Sequence, residues 1–266
     1  MVDVANILWR YYHTQPQELP PEYRAAGAVD TLTQGLPRWK QRARQALQAS
    51  RLAVVFAFEG GLGQRRALCP AYKVRAPGDE APATAVRGVM RDLQKRLRGM
   101  GYRNLFRVTG YEADDVVAAV VEQWTGTTCI LSSDKDMNQL LSSRTMILRP
   151  ADRAPYTIDD FRAQYNVEPW QWVELRAIAG DPSDGIVGVR GCGTKTAAKW
   201  LRGELKADSK AYQTIRDALG VVATNMQLIR LPVDAGCRVP DIRQDKTGTP
   251  AGVKPRRGGN GFGLEG

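Results

Sequence analysis

The sequence predicts an α/β protein in which a mostly parallel central sheet is flanked by helices and followed by a helical lobe. Three observations carry this expectation. Short apolar, β-branched or aromatic runs alternate with helix-length patterns through the first 150 residues, the signature of strands joined by helical crossovers. Acidic residues follow those runs with unusual regularity, as they would beyond the carboxyl ends of parallel strands, where ligands of such sheets bind. Past Pro150 the strand signals fade and helical patterns dominate.

Taken in order, strands are expected at Leu52–Phe58, Asn104–Val108, Thr127–Ser132 and Thr145–Leu148, each a compact run of buried type. Helices are expected between them: a Leu/Trp-bearing stretch from Val29 to Gln48, a basic one from Ala83 to Arg98, and the strongly periodic Glu112–Trp124. The later lobe reads as helices at Ile158–Tyr165, at Trp170–Ala179 opened by Pro169, at Lys195–Arg202 and at roughly Ser209–Leu219. From Cys237 the chain turns to Gly, Pro, Lys and Arg, a composition that offsets little ordering entropy, so a flexible basic tail is expected. The expected organisation is a core over 1–150 with a basic segment at about 60–100, a helical lobe over 151–236, and a tail over 237–266.

Composition narrows the function. Of 266 residues, 43% are apolar and 25% charged, with 26 Gly and 15 Pro, so a normal core is expected and collagen, coiled coil and global disorder are excluded. No apolar run is long enough for a membrane span and the N-terminus lacks a secretory pattern, so a soluble protein is expected. Cys69, Cys129, Cys192 and Cys237 are scattered without a CxxC, and His13 is the single histidine, which argues against a thiolate-zinc site or a His-based catalyst. Spread thiols suit a reducing compartment, here the cytoplasm.

The net charge of +10 favours a polyanionic partner, and its distribution says more. Gly60–Val108 holds eleven Lys/Arg against three acids, a net of +8, whereas Thr109–Asp136 holds six acids and one lysine, a net of −5. A merely soluble surface mixes its signs.

The acids are the chemical signal. Asp3 follows Met1-Val2, Glu59 follows VVFAF, Glu112, Asp114 and Asp115 sit in GYEADD, Asp134 and Asp136 follow CILSS, and Asp181 and Asp184 sit in GDPSDG. Converging carboxylates repel unless cations neutralise them, and hard divalent ions such as Mg²⁺ are the natural remedy. Two such ions can activate water and stabilise the leaving oxygen in phosphodiester hydrolysis. Each motif also has a plain reading: Glu112, Asp114 and Asp115 complement a helix N-terminus, Asp134 caps a turn, and Glu59 before two glycines is a turn residue. Five motifs placed after successive strands in a protein of net +10 favour the metal site.

The segment GDPSDGIVGVRGCGTKTAAKWL fails the spacing of a nucleotide-binding P-loop, because Thr194 stands between Gly193 and Lys195 and helices precede it. A glycine hairpin between two helices at Gly191-Cys192-Gly193 fits instead, with exposed amides and a helix N-terminus able to hold a backbone phosphate, and Lys195 and Lys199 adding charge. A plain helical turn is the bland alternative.

Together, VDVANILWR, VVFAFEGGLGQRRALCPAYKVR, GYEADD, SSDKDMNQLL and GDPSDGIVGVRGCGTKTA resemble, in order and near spacing, the 5′-nuclease family of phage 5′-to-3′ exonucleases, the 5′-nuclease domain of bacterial DNA polymerase I and flap endonucleases. The resemblance spans roughly Asp3 to Leu231. It implies a PIN-like α/β fold with a helical arch and a helix–three-turn–helix lobe, and a Mg²⁺-dependent enzyme, with Mn²⁺ able to substitute, that cuts DNA at 5′ ends or flap junctions. By the same resemblance Asp3, Glu59, Glu112, Asp114 and Asp115 would serve one metal, and Asp134, Asp136, Asp181 and Asp184 the other. Lys73 would contact the scissile phosphate, Tyr72 would stack on a base, and Arg10 would be an active-site arginine. Arg65, Arg66, Arg75, Gly191, Gly193, Thr194, Lys195 and Lys199 would bind DNA, with K⁺ a candidate at the hairpin. The implied partner is DNA, an RNA–DNA hybrid included, met by a monomer in phage replication or recombination. Glu59 stands where the family has Asp, the arch segment is short, and only Met1-Val2 precede Asp3, so the first strand is a stub or the true start lies upstream. The rival readings are a non-catalytic DNA-binding module of the same fold, a PIN-like ribonuclease and a metal-dependent phosphatase.

Overall fold

The computed structural model describes residues 1–74 and 80–243. Arg75 and most of the basic tail therefore lie outside the described residues.

A five-stranded sheet forms the centre, with strands β1 (Val2–Asp3), β2 (Val55–Phe58), β3 (Asn104–Arg107), β4 (Thr128–Leu131) and β5 (Thr145–Leu148) in the order β3-β2-β1-β4-β5, every pair parallel. Residue alternation divides the strands between two cores. Val55, Ala57, Ile130 and Ile147 join one apolar cluster, while Val2, Phe56, Phe58, Cys129, Leu131 and Leu148 join another on the opposite face. Because both faces are buried, the strands read in sequence as continuous apolar runs. The runs at 52–54 lie outside the ladder for a geometric reason: β1 and β3 first meet β2 at Phe56 and Val55.

The second cluster is closed by helices α1 (Val4–Thr14), α2 (Pro21–Leu47) and α4 (Glu80–Gly99). The sequence reading missed α1, although Val4, Ile7, Leu8 and Tyr12 bury one face at helical spacing. It also began α2 eight residues late. The helix opens at Pro21, where a missing N–H costs nothing, and buries Ala25, Ala28, Val29, Leu32 and Leu36. A short α3 (Gly63–Leu68) was not anticipated either.

The first cluster is closed by α5 (Ala113–Gln123) and by the later helices α6 (Ile158–Tyr165), α7 (Trp172–Ala179), α8 (Thr194–Leu201), α9 (Lys210–Asp217) and α10 (Leu219–Ile229). Pro169 opens a 3-10 turn over Pro169–Gln171 rather than the α-helix itself. Trp172 anchors this lobe, its ring 5.5 Å from that of Phe161 and 4.7 Å from that of Tyr165. The helix expected at roughly Ser209–Leu219 is α9, and the apolar α10, which the chain enters after a bend at Ala218, was not anticipated.

The connections fix where a site can be. Successive crossovers carry the chain from β1 to β2 to β3 on one side, and then across to β4 and β5 on the other. The topological switch point therefore lies beside β1, and its carboxyl end is Asp3.

Candidate active site

Asp3 ends β1 and caps α1, its Oδ1 accepting from the Asn6 amide at 3.2 Å. Its Oδ2 accepts from the Ser132 hydroxyl at 2.8 Å, just past β4, and Ser132 Oγ in turn accepts from the Asp134 amide at 3.0 Å. Asp134 Oδ1 accepts from the Asp136 amide at 2.8 Å, and the Asn6 side-chain oxygen accepts from the Ser133 amide at 2.8 Å. Loop and helix are thus laced across the switch point by Asn6 and Ser132. Sequence reading passed over both, though Asn6 sits one turn along from Asp3 and Ser132 is fully buried at a strand end.

Glu112, Asp114 and Asp115 open α5, and one oxygen from each lies within 4.8 Å of the others. Asp136, Asp181 and Asp184 form a second such group. Asp181 and Asp184 frame a 3-10 turn over Pro182–Asp184, held in place by a close backbone crossing. A Cβ on Gly188 would fall 2.4 Å from the Gly180 nitrogen, and Gly180 itself sits at φ +82.

Three cations are bound among these acids. Arg65, expected on the DNA-facing surface, points inward instead: it is 2% exposed, grips Asp115 through two bonds of 2.5 and 2.9 Å, and lies 2.9 Å from Glu112 Oε2. Its Nε also donates to the Leu228 carbonyl at 2.7 Å and its Nη2 to that of Arg230 at 3.2 Å, so a buried ion pair uses up the donors a phosphate would need. Lys73 Nζ lies between the two acid groups, 2.7 Å from Glu112 Oε1 and 3.3 Å from Asp184 Oδ2. Arg176, which sequence reading missed, bonds Asp181 and lies 3.7 Å from Asp136. A lone arginine in the apolar stretch WVELRAIA, five residues before an acid, was the available signal.

Tyr72, expected to stack on a base, is 3% exposed and donates its hydroxyl to Asp184 at 3.1 Å, so no open ring face is presented. Arg66 is exposed and holds the carbonyls of Tyr72 and Lys73 at 3.3 and 3.2 Å. Arg10 is exposed on α1, one turn beyond Asn6. Gly191 (φ +76) and Gly193 stand exposed in open space before α8, on which Lys195 and Lys199 are exposed and Thr194 half-buried.

Burial raises most of these carboxyls. Asp3 is pushed up to about 7 by desolvation and then by Asp134, Glu59 to about 8 by desolvation and then by Glu112, and Asp136 to about 8 by desolvation and then by Asp134. Glu112 rises to about 7 by desolvation and the Asp114 charge, despite Lys73 and Arg65. Burial also works upward on Asp181, but the Ser183 hydroxyl and Arg176 outweigh it and hold its carboxyl low. Lys73 is held charged: burial opposes its ammonium, and Glu112 more than restores it.

A divalent cation fits this donor set. Oxygens alone converge, as a hard ion requires, and Glu59 Oε1 and Asp136 Oδ1 are buried without a hydrogen-bond donor. Asp115 and Asp181 are already committed: besides Arg65, Asp115 accepts from the amides of Glu112 and Val233 at 3.0 and 2.8 Å, and Asp181 accepts from the Ser183 amide and hydroxyl and from Arg176.

Fold and site define a parallel α/β protein with an acidic mouth at its switch point. The chain belongs to the family described as 5′-3′ exonuclease, N-terminal resolvase-like domain, whose model matches residues 1–166. It is 42% identical over 106 residues to the thermostable DNA polymerase I of Thermus caldophilus, covering 39% of this chain and 12% of that protein. It is 42% identical over 113 residues to a 5′-3′ exonuclease of Halalkalibacterium halodurans, covering 40% of this chain and 37% of that protein. The chain thus matches only a minor part of the length of these relatives. In fold it is similar to T5 5′-exonuclease solved with zinc ions (TM-score 0.66, 22% identity, 87% of this chain and 88% of that one). Flap endonuclease-1 from Methanococcus jannaschii is similar at TM-score 0.53 and 14% identity, over 87% of this chain and 77% of that one.

Proposed function

We propose that the chain is a metal-dependent 5′ nuclease that hydrolyses DNA phosphodiesters from 5′ ends or at flap junctions. The observation that carries this reading is the pair of carboxylate groups at the switch point with Lys73 between them. Asp3, Glu59, Glu112, Asp114 and Asp115 would serve one ion and Asp134, Asp136, Asp181 and Asp184 the other. Asp115 reaches an ion only where Arg65 yields an oxygen. Mg²⁺ in two or more positions is the proposed cofactor, with Mn²⁺ as a substitute, and such ions activate water and take up charge on the leaving oxygen.

The chain's own groups orient and neutralise. Metal at the acids would free the Lys73 ammonium from Glu112 and Asp184 to meet the scissile phosphate, steadying its developing charge together with Arg10. Tyr72 holds Asp184 in place, and presents a face to a base only by leaving its buried position. Arg66, Arg75, Gly191, Gly193, Thr194, Lys195 and Lys199 would hold backbone phosphates, with K⁺ a candidate at the hairpin. In this scheme residues 1–150 carry the chemistry, 151–236 the duplex grip and the tail additional charge. DNA, or an RNA–DNA hybrid, is the proposed substrate of a monomer working in the host cytoplasm during phage replication or recombination, a setting supported by the likeness in fold to T5 5′-exonuclease. Among the described residues no helix is long and apolar enough to cross a membrane.

The test is cleavage of end-labelled flap, nicked, blunt and single-stranded DNA by purified protein in Mg²⁺. Cleavage from the 5′ side that stops in EDTA is expected. Asp134→Asn and Asp136→Asn should each cut cleavage about a thousandfold, with metal-free DNA affinity unchanged or tighter. Full activity in excess EDTA overturns the metal role, and tight binding without cleavage in Mg²⁺ or Mn²⁺ would make the chain a non-catalytic module.

A further inference from the structure

Beside Glu59, and outside the two acid groups, lies an open cavity of about 370 Å³ whose charged lining is mostly basic: Arg87, Arg91 and Arg107, with Glu59 and Gln94. Arg87, Met90, Arg91 and Gln94 recur at i, i+3, i+4 and i+7, which places them on one face of α4. Phe58 and Arg107 are paired end residues of β2 and β3, so the cavity opens on the same edge of the sheet as Asp3. Arg107 Nε donates to the Glu59 carbonyl at 2.9 Å, and Arg87 Nη2 to the Thr84 hydroxyl at 2.9 Å. Among the described residues no carboxylate pairs with any of the three guanidinium groups, whereas Arg65 and Arg176 nearby are both bound to acids. Three arginines line one cavity with a single carboxyl group, Glu59, that pairs with none of them, and the ligand they call for is an anion.

We propose that Arg87, Arg91 and Arg107 form a phosphate-binding pocket for the 5′-terminal phosphate monoester of the strand being cut. The charge balance selects this source. Three arginines against at most one negative charge, that of Glu59, leave a net of +2 to +3, and a terminal monoester carries about −1.5 to −2 at neutral pH, compared with about −1 for an internal diester. Guanidinium forks suit phosphate oxygens, and the Gln94 amide adds a neutral donor. Glu59 lines the pocket and belongs to the acid constellation, so a 5′ phosphate held here sits beside the proposed metal site and sets how far into the strand cleavage falls. This assignment rests on the nuclease reading, and it adds a preference for phosphorylated 5′ ends.

The experiment compares one nicked duplex carrying either a 5′ phosphate or a 5′ hydroxyl, together with the same duplex bearing an unphosphorylated 5′ flap. Affinity is measured by anisotropy in Ca²⁺, and kcat/KM in Mg²⁺. The wild type should favour the phosphorylated end by about tenfold or more in both measurements, the scale of one charge-assisted contact. Arg91→Gln, and separately Arg87→Gln, should bring the ratio near one, with the melting temperature showing that the variants remain folded. Equal use of both ends by the wild type, or a preference that survives both substitutions, overturns the pocket. Loss of affinity for the flap and both ends alike would replace the terminal monoester with an internal diester and overturn the proposed source. Binding that discriminates without cleavage in Mg²⁺ or Mn²⁺ would leave the pocket standing and remove the nuclease reading.

Discussion

Lys73 and Arg65 belong to one basic run, yet burial gives them opposite tasks. Lys73 Nζ bridges Glu112 and Asp184 and can exchange those partners for a phosphate, so Lys73→Ala should lower single-turnover cleavage about a hundredfold or more. Duplex affinity in a gel shift should move far less, and equal losses would make Lys73 an ordinary backbone contact. Arg65 has no such freedom. Its removal would strand the fully buried Asp115, and Arg65→Ala should cost about 3–5 kcal/mol in denaturant unfolding of the metal-free protein. An unchanged midpoint would show that the site relaxes or takes up water in its place. The sequence alone did not separate these two roles, because a charge run carries no information about which member turns inward. Most of the acids stand next to a strand end or a helix start, where local pattern is enough to find them, whereas Asp181 and Asp184 follow the end of α7 and were legible only from the motif GDPSDG.

At the scale of elements, legibility followed length and apolar density. Strand Thr145–Leu148 and helix Ile158–Tyr165 match the reading residue for residue, whereas α1 escaped it because it starts at once from a two-residue strand. The glycines of GDPSDGIVGVRGCG divide similarly. Gly191 and Gly193 stand in open space, while Gly188 packs backbone on backbone against Gly180 to shape the turn bearing Asp181 and Asp184. Gly188→Ala should therefore destabilise the fold by about 1–3 kcal/mol or more and loosen the second acid group, read as weaker Mg²⁺ protection against thermal unfolding. Gly193→Ala should leave unfolding unchanged and alter only DNA affinity. Equal destabilisation by the two substitutions would refute the backbone crossing as the feature that shapes the site.

For the molecule as a whole, concentrating like charges at the switch point sets how stability responds to pH. Asp3, Glu59, Glu112 and Asp136 keep their protons up to about 7 or 8 in the folded chain, chiefly through desolvation, whereas unfolded carboxyls release theirs near pH 4. Between those limits the native state binds more protons than the unfolded state, so the stability of the metal-free protein must fall as pH rises from about 4 to 8. A carboxylate with a lowered value behaves in the opposite way: Asp181 pulls in that direction within the site, and Asp160 and Glu204 do so outside it. A divalent ion binds the deprotonated acids of the native state only, which links metal affinity to the same protons. Melting temperatures in EDTA should accordingly decline across pH 5 to 8, and saturating Mg²⁺ should raise them little at pH 5 and most at pH 8. If the melting temperature in EDTA instead climbs over this range, the carboxyls are already ionised in the metal-free fold, with Arg65, Lys73 and Arg176 offsetting part of their charge. The Mg²⁺ gain would then be nearly the same at pH 5 and pH 8, and the proposed link between metal and protons would fail.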